Sequence, residues 1–301
     1  MFAARFARTA VALGALALGV VAIAACHGTK REDLAAPARA RIVSVGGAVT
    51  ETVFALGAGA EVIADDTSSV YPENASKLPK IGYQRTLAAE GILSLSPTLV
   101  LASSEAGPPA VLEQLRVTGL RVESISGAAT VQGAHERIEQ LARILQKDPK
   151  PLLTNLDASL VRAQDFVQAT KTRPRVLALY ARGASTLLVF GQNSAADAML
   201  VLAGATNAVS GFEGTKPVTS EAVIDAAPDV ILLPARGLES LGGVSGLLAL
   251  PGIFGTPAAK TQRVITLDDL LLLGFGPRTG EAVLELARKL HPEELASQAA
   301  P

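Results

Sequence analysis

Short apolar runs alternate with amphipathic stretches along the chain from residue 41 onwards. Runs of strand length occupy residues 41–45, 62–64 and 99–102, and a stretch with helical spacing covers residues 50–56. A strand, a helix and a second strand in this order form a βαβ unit, which builds a parallel sheet. We therefore expect an α/β lobe whose binding crevice lies beyond the carboxyl ends of its strands.

The middle of the chain predicts one long helix. Residues 152–170 carry apolar side chains at intervals of three and four positions, namely Leu153, Leu156, Leu160, Ala163 and Val167. Strand-like runs then return at residues 175–180, 230–233 and 264–267. The pattern predicts a second lobe, and a helix long enough to run along both lobes as a spine.

One helix-to-strand segment occurs twice. Residues 219–233 align without a gap with residues 88–102, so that Glu221 matches Glu90 and Pro228 matches Pro97. In each copy a short helix ends before the proline and an apolar strand follows, since proline rarely continues a helix. The repeat predicts two similarly built lobes, and it directs the search for function to the loops around each copy.

The length of 301 residues, with 49% hydrophobic residues, fits about two domains. We predict six segments: a signal peptide with a lipobox (1–26), a flexible tether (27–40), an N-terminal α/β lobe (41–150), a spine helix (151–172), a C-terminal α/β lobe (173–292) and a tail (293–301).

The first residues have the pattern of an export signal. Arg5 and Arg8 precede an uncharged apolar run at residues 10–25, which is shorter than the roughly 20 residues of a membrane-spanning helix. The run ends in Ala-Ala before Cys26, the only cysteine, and this sequence resembles the bacterial lipobox. We expect lipidation of Cys26 and a location in the periplasm or cell envelope. An ordinary signal peptide with an incidental cysteine is the alternative.

Composition argues against several classes of function. The 27 basic and 28 acidic residues leave a net charge of -1, so no positive excess is available for a nucleic-acid backbone. The three histidines, His27, His135 and His291, lie in segments that do not converge on one metal site. The chain also lacks a phosphate-binding glycine loop and a G-x-S-x-G motif. These features favour a binding protein over an enzyme.

Several motifs together resemble a known family. They include residues 41–47 (RIVSVGG), 82–87 (GYQRTL) and 272–279 (LLGFGPRT). From about residue 41 to residue 290 the chain is similar to the heme-binding solute-binding proteins of bacterial ABC heme importers, and Gly-Tyr-x-Arg is the most specific motif. The resemblance implies an α/β fold of two Rossmann-like lobes, each with a central, mostly parallel sheet, joined by one long spine helix. It also implies ferric heme as the transported ligand and an ABC permease dimer with its ATPase as the partner. From the lipobox we expect contact with the membrane through the lipid anchor only.

The resemblance further implies roles for residues around the cleft. Tyr83 would be the axial ligand of the heme iron, and Arg236 matches an arginine that in some members hydrogen-bonds the ligating phenolate. Arg85 would reach a heme propionate or the phenolate. Arg182 stands where some members carry a histidine that binds a second heme, and arginine cannot ligate iron. It would instead pair with propionates or be a plain loop charge.

Two further sets of residues follow from the same resemblance. In the wider family one surface glutamate of each lobe docks against basic residues of the permease, and Glu90 and Glu221 match these positions. The alternative is that each acid only stabilises the first turn of its helix through the helix dipole. Leu272, Leu273 and Phe275 are expected to cover the macrocycle.

Other functions stay open at this stage. Solute-binding proteins for cobalamin and ferric siderophores share the repeated Glu-Pro-strand segment, so these ligands are the nearest alternatives. An envelope enzyme acting on a sugar or nucleotide and a purely structural lipoprotein are the others.

Overall fold

The computed structural model describes residues 40–183, 185–217 and 219–293. The predicted signal peptide with Cys26, the tether up to residue 39 and the tail after residue 293 lie outside the described residues. Within the described part, none of the helices combines the length and the apolarity that a membrane-crossing helix needs.

The first sheet has four parallel strands in the order β2-β1-β3-β4: β1 (Ile42–Val45), β2 (Val62–Asp65), β3 (Leu99–Ser103) and β4 (Arg121–Ile125). Its central strands, β1 and β3, are almost entirely apolar because both faces of the sheet are covered. Ile42 and Leu101 pack into one core, whereas Val43 and Val100 pack into another. This sheet forms the N-lobe together with α1 (Gly47–Ala55), α2 (Glu73–Ser76), α3 (Ala89–Leu93), α4 (Pro109–Val117) and α5 (Val131–Leu145).

A helix of 20 residues, α6 (Lys150–Ala169), follows the N-lobe in the chain. Leu156, Ala163 and Phe166 form its buried stripe. The prediction of one long, continuous helix after the first lobe is therefore confirmed.

The second sheet is mixed and has the order β10-β9-β5-β6-β8, with β7 beside β5. Its strands are β5 (Arg175–Ala181), β6 (Leu187–Phe190), β7 (Thr206–Asn207), β8 (Thr215–Pro217), β9 (Val230–Pro234) and β10 (Val264–Leu267). The pairs β5–β7, β5–β9 and β9–β10 are parallel, whereas β6 runs antiparallel to its neighbours β5 and β8. The sheet forms the C-lobe with α7 (Ala195–Leu202), α8 (Ser220–Ala226), α9 (Ala235–Ser240), α10 (Gly243–Leu248), α11 (Pro257–Lys260), α12 (Asp269–Leu273) and α13 (Thr279–Leu290).

The repeated segment has the same structure in both lobes. The first copy folds as α3 followed by β3, and the second folds as α8 followed by β9. In each copy the strand is parallel and buried in its sheet. The prediction of two similarly built lobes is therefore confirmed.

Some local structure could not be read from the periodicity of the sequence. Helix α5 begins at Val131, because the hydroxyl of Thr130 accepts a hydrogen bond from the N–H of Gly133 and caps it. The segment between β2 and α3 contains α2, and the segment after β9 forms α9. The antiparallel strands β6 and β8 were missed, because segments this short carry little periodicity.

Candidate functional site

The loop that carries Tyr83 leaves the carboxyl end of β2 and is tied back to it. The N–H of Ile81 donates to the carbonyl of Asp65, and the N–H of Thr67 donates to the carbonyl of Gly82, each at 2.9 Å. Gly82 has a φ of +98°, in the region that favours glycine, which explains this residue of the Gly-Tyr-x-Arg motif. Tyr83 is therefore presented, half-buried, at the carboxyl edge of the N-lobe sheet.

A buried ion pair fixes the start of this loop. The Lys80 ammonium lies 2.5 Å from Oδ1 of Asp65 and also donates to the carbonyls of Ser69 and Ala75. Asp65 is fully buried, and its Oδ2 has no hydrogen-bond partner among the described residues. Burial raises the pKa of Asp65 to about 6, although the hydrogen bond and charge of Lys80 act in the opposite direction.

The next acid, Asp66, closes the turn between β1 and α1. Its carboxylate accepts hydrogen bonds from the N–H groups of Gly46 and Ser68 at 2.7 and 2.8 Å, and from the hydroxyl of Ser69 at 2.7 Å. Adjacent acids at the end of a strand are commonly solvated, but Asp65 and Asp66 are both fully buried. They organise the loops at the carboxyl edge of the sheet.

Arg182 of the C-lobe lies over the ring of Tyr83, with its guanidinium carbon 5.8 Å from the ring centroid. This distance is within the range of a cation–π contact. Arg182 stands in the turn between β5 and β6, where its N–H donates to the carbonyl of Thr186 and the N–H of Gly183 donates to the hydroxyl of Ser240. The structure thus brings together two of the predicted ligand-binding residues, one from each lobe.

Arg85 and Arg236 occupy other positions at the same edges. Arg85 pairs with Glu105 of the N-lobe at 2.5 Å, and both side chains are more than half exposed. Arg236 is exposed on α9, at the carboxyl end of β9, and its N–H donates to Asp269 at 3.4 Å. Burial raises the pKa of Asp269, and Arg236 opposes that rise. Arg182 is therefore the arginine found over the Tyr83 ring, and the roles of Arg85 and Arg236 stay predictions.

A second contact between the lobes was missed by the sequence reasoning. Arg278, just before α13, forms a bidentate ion pair with Glu51 of α1. Its Nε donates to Oε1 at 2.7 Å and its Nη2 donates to Oε2 at 3.0 Å. The guanidinium carbon of Arg278 also lies 3.4 Å from the ring centroid of Tyr71. A signal was available, because Glu51 interrupts an otherwise uncharged helix (GAVTETVFA). A lone acid in such a helix calls for a buried cation.

The expectation for the apolar segment after β10 is wrong for two of its residues. Leu272 and Phe275 are fully buried in the core of the C-lobe, and Leu273 packs against the same core. Leu272 and Phe275 therefore cannot cover a ligand while this core is intact. Apolarity alone did not distinguish a core residue from a ligand contact.

The two repeat-related acids are exposed. Glu90 and Glu221 each stand in the first turn of a short helix, α3 and α8 respectively, with their side chains in solvent. This exposure is compatible with docking and equally with stabilisation of the helix N-terminus. Within residues 40–183, 185–217 and 219–293, no group of three or more His, Cys, Asp and Glu side chains is arranged to hold a metal ion.

The chain matches known proteins over most of its length. A family model described as periplasmic binding protein matches residues 42–271. The periplasmic heme-binding protein RhuT from Roseiflexus sp. RS-1, solved in apo form, is 43% identical, with 85% of this chain and 99% of that chain covered and a TM-score of 0.82. The periplasmic heme-binding protein BhuT, solved in complex with two hemes, is 44% identical with the same coverage and a TM-score of 0.80.

A more distant match has a different ligand in its name. The vitamin B12-binding protein of Vibrio vulnificus is 27% identical over 79% of this chain and 85% of its own length. All these matches extend over both lobes and the helix between them. The chain belongs to the periplasmic binding protein family.

Proposed function

We propose that this chain captures heme between its two lobes, outside the cytoplasm, and delivers it to an ABC importer. The observation that carries the proposal is the meeting of Tyr83 from the N-lobe with Arg182 from the C-lobe. The relatives support it, since the two solved proteins at 43% and 44% identity are both heme-binding proteins.

The residues at this site suit ferric heme. Tyrosine is one of the side chains that hold heme iron in proteins, and Tyr83 is half-buried on a loop that backbone hydrogen bonds hold in place. Arginines stand on both sides, with Arg85 on the N-lobe and Arg182 and Arg236 on the C-lobe. Their guanidinium groups are suited to bind the propionate carboxylates. In this role no bond of the heme is made or broken, and the protein is not an enzyme.

The partner and the location follow from the same proposal. A periplasmic binding protein hands its ligand to a membrane permease, here an ABC permease dimer driven by its ATPase. Lipid chains on Cys26 would hold the protein at the membrane, since each buried methylene contributes roughly 0.8 kcal/mol. Mass spectrometry of the mature N-terminus tests the anchor, and an unmodified cysteine would contradict it.

Hemin titration followed by visible absorption tests heme binding and its ligand. The chain from residue 27 onwards is expected to saturate with a tyrosinate-type ferric spectrum. Tyr83→Ala should lose that spectrum and weaken binding by roughly 100-fold or more, because even residues behind a metal ligand contribute 10–100-fold. Tyr180→Phe is the matched control, since Tyr180 packs edge-on against Phe190 within the C-lobe.

Other outcomes of this titration identify other functions. If Tyr180→Phe loses the tyrosinate spectrum while Tyr83→Ala keeps it, the iron ligand is Tyr180 and the assignment of Tyr83 is wrong. Absence of hemin binding in the unmutated protein would contradict the proposal. The similarity to a vitamin B12-binding protein makes cobalamin the next titrant. Cobalamin binding that survives Tyr83→Phe would favour that alternative.

A further inference from the structure

The contact between Glu51 and Arg278 joins two segments that border the candidate site. Glu51 lies one turn into α1, which begins at the Gly46-Gly47 turn. A Cβ on Gly46 would meet Oε1 of Gln84 at 3.1 Å, and Gln84 adjoins Tyr83. A Cβ on Gly47 would meet Leu270 of α12 at 2.8 Å. The start of α1 is therefore close to the ligand-bearing loop and to the C-lobe at once.

The geometry of this contact restricts orientation as well as distance. The Arg278 guanidinium uses two nitrogens on the Glu51 carboxylate, and its face lies over the ring of Tyr71. A planar group held by a two-point ion pair and a stacked ring cannot rotate without losing one of these contacts. Glu51 is 4% exposed and Arg278 is 20% exposed, so water does little to screen the pair.

A second link between the lobes lies next to this one. Arg137 of α5 is buried, and it donates from Nη1 to the carbonyl of Phe275 at 2.5 Å and from Nη2 to the carbonyl of Gly127 at 3.0 Å. Phe275 precedes Arg278 by three positions. The loop between α12 and α13 is thus held to the N-lobe at both of its ends.

We propose that Glu51, Arg278 and Tyr71 are positioning residues that form an interlobe clasp and hold Tyr83 opposite Arg182 before the ligand arrives. A single helix, α6, links the lobes in the chain, and a hinge at either of its ends would otherwise let the two edges of the site separate. The clasp keeps the site assembled, so less ordering is needed when heme binds. This inference rests on the proposed heme function for its ligand, but not for its effect on the lobes.

The distance between the lobes tests the clasp without any ligand. The chain from residue 27 onwards has no cysteine, so spin labels attach only at introduced positions. Val117→Cys on the N-lobe and Val201→Cys on the C-lobe are suitable, since these side chains are 80% and 65% exposed. The unmutated clasp should give one narrow distance distribution in pulsed dipolar spectroscopy. Glu51→Gln and Arg278→Lys should broaden it.

The heme dissociation rate tests the consequence for the ligand. Loss of the clasp should raise this rate by about tenfold, a change that corresponds to roughly 1.4 kcal/mol. The tyrosinate spectrum should stay unchanged, because Tyr83 itself is intact. Glu285→Gln is the matched control, since the ion pair of Glu285 with Lys289 lies within α13 and does not connect the lobes. If Glu51→Gln does not fold, Tyr71→Leu can be measured instead. This variant removes the stacked ring and leaves the buried ion pair of Glu51 and Arg278 in place.

The outcomes separate the clasp from the proposed function. A narrow distribution in all three clasp variants would overturn the inference. A broadened distribution with an unchanged dissociation rate would also overturn it, since the residues would then not position the ligand site. If the unmutated protein binds no hemin, the proposed function fails, while the distance measurement still decides whether the clasp holds the lobes.

Discussion

Asp65 illustrates how a single buried residue couples the candidate site to pH. Its carboxyl is fully buried, and one oxygen faces Lys80 while the other has no partner among the described residues. Because burial raises its pKa to about 6, the folded protein holds this proton at a pH where the unfolded chain has already released it. The stability that Asp65 contributes is therefore greatest below its unfolded pKa and is lost as the pH rises through about 6.

This coupling predicts a pH-dependent difference between the protein and Asp65→Asn. Between pH 7 and pH 4 the free energy of unfolding of the unmutated protein should rise relative to the variant, by about 2–3 kcal/mol. Denaturant unfolding of both proteins at several pH values measures the difference, in which the titration of groups that do not interact with Asp65 cancels. A difference that is constant across this range, or that falls towards acid pH, would show that Asp65 is ionised like an exposed carboxyl.

At the scale of elements, the packing of α13 on α6 depends on a glycine. A Cβ on Gly280 would lie 2.1 Å from the hydroxyl of Ser159 and 2.5 Å from the backbone nitrogen of Leu160. Backbone cannot give way as a flexible side chain can, so the two helices approach this closely only at a residue without a side chain. Gly91 of α3, by contrast, has open space around the same position.

The two helical glycines therefore predict opposite effects of one substitution. Gly280→Ala should lower the free energy of unfolding by about 1–3 kcal/mol or more, because it forces α13 away from α6. Gly91→Ala should raise it by about 0.5–1 kcal/mol, since alanine loses less backbone freedom in a helix. Urea unfolding measures both variants. Equal stability of Gly280→Ala and the unmutated protein would contradict the close contact between the helices.

At the scale of the whole molecule, the repeat sets one exposed acid on each lobe. Two like charges on a pseudo-symmetric protein suit a partner with two-fold symmetry, and charge complementarity mainly affects recognition and association rate. Glu90 and Glu221 are thus expected to act at the permease and not at the ligand. Their role can be separated from ligand binding by experiment.

Charge reversal at both positions should abolish transfer while leaving capture intact. In proteoliposomes with the cognate permease and ATPase, Glu90→Lys and Glu221→Lys should each reduce heme uptake, and the double variant should reduce it by at least about tenfold. Hemin affinity should not change in any of them. Glu285→Lys is the charge control, since Glu285 lies on α13, outside both copies of the repeat. Normal uptake by the double variant would contradict docking through these acids. Stabilisation of the first helical turn through the helix dipole would then remain as their role.

The class of fold and much of its organisation were predictable from the sequence, because they depend on local patterns. The spacing of Leu156 and Ala163 predicts α6, and buried runs such as residues 42–45 predict parallel strands. The repeat of Glu90 and Glu221 predicts two similar lobes. Tyr83 was selected as a candidate because the Gly-Tyr-x-Arg motif is continuous in sequence, and its role as iron ligand stays a prediction.

What the sequence by itself determined about this protein is therefore what neighbouring residues decide: strands, helices, the long helix between the lobes, and the loops that end at the carboxyl edges of the sheets. Tertiary structure alone decided which loop residues meet. It placed Arg182 over Tyr83, and it paired Glu51 with Arg278 across 227 positions of the chain. It also turned Phe275 into the core. The physical reason is that periodicity specifies the face of an element, whereas the partner of a side chain depends on how whole lobes pack.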